Sequence, residues 1–302
     1  MSEPSHPFLI ALHRYSRIGP VRRRASLAAS QPATDTAPAS SVALSEASAD
    51  PSAAPSADPA ATPGGAQAHS DPERGLPPGA VLRYLPVVGL IVALCQVLVY
   101  GLTSLLLPHA VAVLLTLAAG LLLTAAIHER GAAHWWDGTT GAAPWLNHAA
   151  GAGTVGLIVL LLARFEILAS VDESWLAATL VCAASASRGL AVLGVAGDVA
   201  EDAAQTAVAP ISRADGIVAL LLGIAPAIAL AAWTGNASAV LAGLGCAVVA
   251  LAVLRGVSHH HPGAGSQTMS VIQQVTEVAW LIGMLAVLGV VAAELDLEDG
   301  DS

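Results

Sequence analysis

The sequence predicts an all-α protein, a polytopic membrane helical bundle with about seven transmembrane helices. Of its 302 residues, 55% are hydrophobic and only 11% are charged, and the mean hydropathy is +0.68. Such values are too apolar for an ordinary soluble domain. The apolar residues form runs close to the roughly 20 residues that cross a bilayer as a helix. The alternation of apolar and polar residues that is typical of β-strands is absent. Since the backbone must satisfy its own hydrogen bonds in lipid, a bundle of helices is predicted.

Residues 1–24 are predicted to form an N-terminal segment that lies at the membrane surface. A short apolar run is followed by a basic end with Arg22, Arg23 and Arg24. A secretory signal would carry its charge before the apolar run, not after it. We therefore expect an interfacial helix over residues 8–15, with arginines that face the cytoplasmic leaflet. A solvated basic end without a role in the site is the alternative.

Residues 25–80 are predicted to be a disordered linker. They consist mainly of Ala, Ser, Pro, Asp and Thr, with almost no large apolar side chains. Such a segment buries too little surface to offset the entropy lost on ordering. The transmembrane domain is then 81–302.

Seven apolar runs follow within this domain. Short polar or Pro/Gly breaks separate them, such as Pro108-His109 and Asp172-Glu173. The predicted spans are 85–107, 110–127, 154–171, 175–196, 216–233, 237–254 and 271–293.

Arginine predicts the orientation, because all twelve basic residues are arginine. Alternating spans place the loops 128–153, 197–215 and 255–270 on the side of the N-terminal arginines, and each of the three contains an arginine. The opposite loops contain none. By the positive-inside rule these three loops face the cytoplasm, and the acidic C-terminus faces out. The predicted location is the cell inner membrane, crossed several times.

The remaining composition excludes some functions. A net charge of -10 does not suggest a nucleic acid partner. Cys95, Cys182 and Cys246 stand singly in apolar runs, so they indicate helix packing and no disulfide framework.

The most polar stretch between spans is residues 128–138, HERGAAHWWDG, which is predicted to be a loop. Its two histidines are six residues apart, so the four-residue spacing of a zincin helix is not present. A hard cation would prefer the carboxylates, whereas a softer one could use the imidazoles. The ionisable residues of the stretch are His128, Glu129, Arg130, His134 and Asp137.

Charges also occur inside the predicted spans, where they usually face a partner or a wet cavity. Gln273 and Gln274 share a helix face with Glu277, because the spacings are four and three residues. This polar stripe could line a site or could hold helices together. Arg188 could likewise pair with Glu277 or Glu166 for structure alone. The four ionisable residues in the spans are Arg164, Glu166, Arg188 and Glu277.

Three stretches of the first half resemble motifs of one known family. ALHRYSRIGPV is similar to ALxFLTRIPVP and matches it at Arg17, and RYLPVVGLIVAL is similar to RxFPLVGLLLG. LTAAIHERGAAHWWDG is similar to LTGGxHEDGLADTADG, with matches at His128, Glu129 and Asp137. The family is that of the cobalamin-5'-phosphate synthases, also called adenosylcobinamide-GDP ribazoletransferases.

Three later stretches continue the resemblance in the same order. GTVGLIVLLLAR resembles IGAYGxLxLxLLLK/R, with Arg164 at its basic position. SRGLAVL keeps a Ser-Arg pair that includes Arg188, and SVIQQVTEVAWLIG resembles GAxQQLSELAFLLG. The shared order and spacing cover most of the chain outside the linker and indicate common ancestry.

The resemblance implies a membrane transferase of the last steps of cobalamin biosynthesis. Adenosylcobinamide-GDP and α-ribazole, or its 5'-phosphate, would be the substrates, GMP would leave, and Mg²⁺ would be the cofactor. Membrane lipid and other membrane proteins of the cobalamin pathway are the further partners that it suggests. The implied catalytic residues are His128, His134 and Arg188; the substrate-binding residues are Arg17, Arg130, Gln273, Gln274 and Glu277; the metal ligands are Glu129 and Asp137.

The departures from the family pattern keep other functions open. Acidic positions of the motifs are occupied by Arg130, His134, Ala149 and Gln267. One alternative is a catalytically degenerate relative that binds a corrinoid or nucleotide, or that acts in membrane assembly. A small-solute transporter would need polar breaks within spans, for which Pro226 marks the only candidate.

The predicted orientation can be tested with one engineered cysteine. Ser302→Cys should react with a membrane-impermeant maleimide on intact cells, because the C-terminus is predicted to face out. Labelling that appears only after permeabilisation would contradict the orientation.

Overall fold

Every regular element in the described part of the chain is a helix, as the sequence predicts. The structure is a computed structural model, and it describes residues 6–16, 78–140, 151–197, 211–258 and 265–300. All of these belong to one compact unit.

Several predictions fall outside the described residues. They concern the linker, except for residues 78–80, the basic end with Arg22, Arg23 and Arg24, the candidate Arg17, the acidic-position replacement Ala149 and the C-terminal Ser302. Pro78 already begins a helix, slightly before the predicted domain boundary at residue 81.

The helices follow the predicted spans closely. The longest difference is at the C-terminus, where the last helix continues through the acidic tail. The helices are α1 (Pro7–Tyr15), α2 (Pro78–Leu82), α3 (Leu85–Thr103), α4 (His109–Thr124), α5 (Ile127–Thr140), α6 (Ala152–Ser170), α7 (Glu173–Val195), α8 (Arg213–Thr234), α9 (Ala237–Ser258) and α10 (Gly265–Gly300).

Six of these helices are long and apolar enough to cross a membrane, and there are seven if α4 and α5 together count as one span. This agrees with the predicted number of about seven. The fold class is therefore confirmed: the chain is a multi-pass helical membrane protein.

The prediction of a loop at residues 128–138 is wrong, because this stretch is part of α5. The chain bends by 85° between α4 and α5. The bend consists of Ala125 and Ala126, whose φ angles of 54° and 51° lie in the left-handed region. Non-glycine residues adopt this region at a cost of roughly 1–2 kcal/mol each. Because the polar stretch after the bend is helical, its residues are divided between two faces of α5.

Helix α7 lies at the centre of the bundle. Its apolar stretch is 78% buried, whereas those of the other long helices are 22–56% buried. Leu176, Leu180 and Leu190 pack with Trp280 and Met284 of α10 in the main core. The many alanine, serine and glycine residues of α7 suit this central position, because small side chains let neighbouring membrane helices pack closely.

Close approach of α7 to α8 depends on two glycines. A Cβ atom at Gly189 would lie 2.8 Å from the carbonyl oxygen of Ala219, and one at Gly223 would lie 2.9 Å from that of Ser185. Backbone atoms cannot move away as a flexible side chain can. Small residues of this kind let membrane helices pack backbone to backbone.

The described arginines that are not buried all lie at one end of the bundle, which we call the arginine end. Here α3, α6, α8 and α10 begin, and α4, α7 and α9 end. An ion pair of 4.0 Å between Arg83, in the turn after α2, and Asp215 of α8 joins the two elements at this end. The arginines concerned are Arg14, Arg83, Arg130, Arg213 and Arg255.

Helix α1 packs on the arginine end and covers residues 7–15, close to the helix predicted over residues 8–15. Its position at the membrane surface stays a prediction. Ala11 is fully buried against Val81 and Val88. Arg14 remains exposed. The helix is therefore held by apolar contacts with α2 and α3.

The contact between α7 and α8 generates a stability prediction. Gly189→Ala should destabilise the protein by roughly 1–3 kcal/mol, because the added methyl group meets backbone. Gly245→Ala is the matched control, since nothing lies within 4 Å of the added atom. It should be neutral or slightly stabilising, because alanine is the better helix former. Thermal unfolding in detergent measures both changes. Equal stability of the two variants would contradict the inferred close packing.

Candidate functional site: a buried charged cluster beneath α5

Four polar side chains from three helices meet in the interior of the bundle. Arg164 of α6 donates through Nη2 to Oε1 of Glu277 at 2.6 Å and through Nη1 to Oε1 of Gln274 at 3.3 Å. Gln274 in turn donates through Nε2 to Oε1 of Glu129 at 2.9 Å. The Arg164 guanidinium lies 4.0 Å from that same Glu129 oxygen. All four residues are buried, so the network links α5, α6 and α10.

Local sequence explains how these residues come together. Gln274 and Glu277 are three residues apart on α10 and therefore point in the same direction. Glu129 reaches them because the bend after α4 turns the beginning of α5 into the bundle. Glu166, two residues from Arg164, is exposed on the other side of α6.

Arg188 of α7 contributes a second buried guanidinium. Its Nη1 donates to the carbonyl oxygen of Ala184 in its own helix at 2.7 Å. The side chain crosses α3 at Gly89, where a Cβ atom would lie 2.4 Å from its Cδ. Only glycine leaves room for the arginine at this position. In the described part of the chain Arg188 forms no direct ion pair with Glu277 or Glu166, because Glu277 bonds to Arg164. Glu277 still attracts the charge of Arg188 at longer range.

The charged residues line a small cavity of about 20 Å³. Glu129, Arg164, Arg188 and Glu277 form its polar wall, and apolar residues of α3 and α4 with Gln96 form the opposite one. Such a volume holds about one water molecule. The cavity is therefore far too small for a nucleotide.

His128 and Gln273 are buried beside this network but do not join it. Both ring nitrogens of His128 and Oε1 of Gln273 have no hydrogen-bond partner among the described residues. Tyr15 of α1 stacks on the His128 ring, with 6.0 Å between the centroids and 10° between the planes. Burial raises the pKa of the Tyr15 hydroxyl above its usual value of 10.0. The stacked tyrosine therefore stays uncharged near neutral pH.

The other candidates of α5 lie on its opposite face. Arg130, His134 and Asp137 are exposed and follow one another at helical spacing. Asp137 accepts a hydrogen bond from the backbone N–H of Gly153 at 2.7 Å, which ties the face to the beginning of α6. The structure thus separates residues that the loop interpretation had grouped together.

The described residues do not fit the magnesium site that the resemblance implies. Glu129 and Asp137 are eight residues apart on one helix, which is about 12 Å along its axis. No group of three or more His, Cys, Asp or Glu side chains in the described part of the chain could hold a metal ion. Magnesium requires close oxygen ligands at about 2.0–2.1 Å. The structure does not bring the two predicted ligands together.

Sequence reasoning did not select Arg164 as a site residue, although the structure places it at the centre of the cluster. A signal was present, because an arginine near the middle of an apolar span requires a buried partner. The sequence alone offered two acidic partners and two arginines, and did not determine the pairing.

Comparison with known proteins identifies the family. A family model described as cobalamin-5-phosphate synthase matches residues 72–286. The chain belongs to this family. The matched range contains every member of the buried cluster, and the resemblance inferred from the motifs is confirmed. No solved structure matches this chain.

Curated relatives of this chain carry the name adenosylcobinamide-GDP ribazoletransferase. One from Ralstonia nicotianae is 31% identical over 68% of this chain and 83% of its own length. One from Bradyrhizobium diazoefficiens is 32% identical over 68% of this chain and 86% of its own length. A third, from Shewanella denitrificans, is 37% identical over 36% of this chain. The aligned part of this chain spans about half of that relative's length, 46%.

The ion pair between Arg164 and Glu277 gives a second prediction. Arg164→Ala and Glu277→Ala should each destabilise the protein by roughly 3–5 kcal/mol, because each leaves a buried charge unpaired. The double change should cost less than the sum, by roughly 0.5–3 kcal/mol. Unfolding in detergent with a chelator present measures the cycle. Glu166→Ala, on the exposed side of α6, is the control and should change stability by at most about 0.5 kcal/mol. Additive losses would disprove the pairing.

Proposed function

We propose that this chain is a transferase that joins adenosylcobinamide-GDP to α-ribazole or its 5'-phosphate and releases GMP. A free ribose hydroxyl group of the ribazole loses its proton to a base and attacks the phosphorus on the cobinamide side, and the bond from that phosphorus to the GMP oxygen breaks. The observation that carries the proposal is the family match over residues 72–286. The names of the relatives that align over most of this chain support the same reaction.

The exposed face of α5 is the proposed place of substrate contact. A cavity of about 20 Å³ has room for about one water molecule and none for substrates of this size. Arg130, His134 and Asp137, by contrast, lie open at the arginine end. A diphosphate would find positive charge there.

The spacing on this face supports separate roles for two side chains. The Arg130 guanidinium can donate two parallel hydrogen bonds to phosphate oxygens and can offset the charge that develops during transfer. His134 lies one helical turn further along the same face. In its neutral form it can accept the proton of the attacking hydroxyl group.

The buried cluster has a positioning role in this proposal. It fixes the inner face of α5 to α6 and α10 through Glu129, and a rigid α5 keeps Arg130 and His134 in register. Arg188, Gln273 and His128 are enclosed within the bundle. Magnesium that accompanies the diphosphate would need oxygen ligands other than a Glu129–Asp137 pair.

The arginine end is proposed to face the cytoplasm of the cell inner membrane. The support is the positive-inside rule, because the described arginines that are not buried lie at that end. The proposed substrates and lipid would then meet the protein at this surface, as would any membrane protein of the same pathway.

Release of GMP tests the proposal. Purified protein in liposomes is given adenosylcobinamide-GDP, α-ribazole and magnesium, and GMP is measured over time. His134→Ala should lower the rate by roughly 10²–10⁴-fold, the usual contribution of a general base, and Arg130→Ala should lower it as well. His13→Ala and Arg213→Ala are matched controls, because both residues are exposed at the same end but lie off α5.

The outcomes separate the alternatives. A protein that binds adenosylcobinamide-GDP but releases no GMP would be a non-catalytic relative, as the replaced acidic positions allow. Turnover that is unchanged in both α5 variants would place substrate contact elsewhere. Helix α8 continues through Pro226 without a break, which removes the feature on which the transporter alternative rested.

A further inference from the structure

Arg164 occupies the space between two buried carboxylates. Its Nη2 lies 2.6 Å from Oε1 of Glu277, and its Nη1 lies 4.0 Å from Oε1 of Glu129. Two carboxylates on neighbouring helices are the kind of ligand pair that holds a hard cation. Here a guanidinium already lies between them, so a metal ion and Arg164 cannot occupy this place together.

The charges of the cluster also balance without a metal ion. Within the described residues, the buried acidic and arginine side chains are Glu129, Glu277, Arg164 and Arg188, and they line one cavity. Two negative charges and two positive charges give a sum of zero. Adding a divalent cation would leave the apolar interior with two uncompensated positive charges, which is strongly unfavourable.

We propose that Arg164 takes the place of a divalent cation in the core of this protein and thereby excludes one from it. Glu129 and Glu277 are then structural anions that are neutralised by arginine, and neither is a metal ligand. This inference is independent of the proposed function, because it concerns the folded protein whether or not GMP is released.

The arrangement predicts that removal of Arg164 creates a cation site. Without the guanidinium, oxygens of Glu129, Glu277 and Gln274 would face a common space that is larger by the volume of the arginine side chain. Only Arg188 would remain to balance the two carboxylates. A hydrated magnesium ion, bound by two carboxylates, an amide oxygen and water, restores positive charge to that space. Binding to the folded state alone raises stability with ion concentration.

Thermal unfolding in detergent tests this inference with magnesium alone as the probe. The measured quantity is the melting temperature in saturating magnesium chloride minus that in chelator with potassium chloride of equal ionic strength. For Arg164→Ala this difference should exceed that of the unchanged protein by about 2–4 °C or more. Arg164→Gln serves as a second variant if Arg164→Ala is not recovered in folded form.

Three controls make the result specific. Arg164→Lys keeps a positive charge in place and should respond to magnesium like the unchanged protein. Arg164→Ala combined with Glu277→Gln lacks one carboxylate and should lose the gain. Arg83→Ala removes an arginine of the surface pair and should show no gain.

Magnesium responses that are the same in the unchanged protein, Arg164→Ala and Arg164→Gln would overturn the inference. An unchanged protein that loses its magnesium response in Glu129→Gln would also overturn it, because Glu129 would then be a ligand in the presence of Arg164. Neither outcome depends on turnover, so failure here and failure of the transferase proposal are distinguishable.

Discussion

The ion pair of Arg164 with Glu277, extended through Gln274 to Glu129, is the interaction on which the rest of the bundle depends. Charges buried among apolar helices are tolerated only in the presence of their partners. The three helices that supply these residues must therefore pack in one register. A shift of any helix would leave a charge unpaired at a cost of several kcal/mol. Apolar packing alone is less selective, because lipid competes for the same surfaces.

The bend between α4 and α5 follows from the same constraint. Ala125 and Ala126 adopt left-handed backbone conformations, at a cost that the surrounding structure must offset. The bend allows Glu129 to enter the bundle and accept the hydrogen bond of Gln274. The contacts made by Glu129 in the interior provide the compensation. Backbone strain at this point is thus linked to the buried network and, through it, to the position of α5.

The two faces of α5 divide structural and chemical tasks. The inner face carries Glu129 into the charged cluster, and the outer face presents Arg130 and His134 to solvent. Two of the replacements of acidic residues, Arg130 and His134, fall on the outer face, where a change of charge costs little stability. Glu129 on the inner face has no such freedom, because it is matched to buried partners. A retained frame with an altered surface is the expected result of these unequal constraints.

The sequence by itself determined the fold class, the spans and the family, because apolar length and motif order are local properties that lipid and common ancestry make informative. It also selected as site residues three of the four buried charged residues of the described chain, Glu129, Arg188 and Glu277. Tertiary structure alone decided which charges pair, since the sequence offers the same acidic partners to Arg164 and to Arg188. It also showed that residues 128–138 form a helix. The physical reason is that pairing and helix direction depend on a bend of two alanines, which composition and periodicity do not encode.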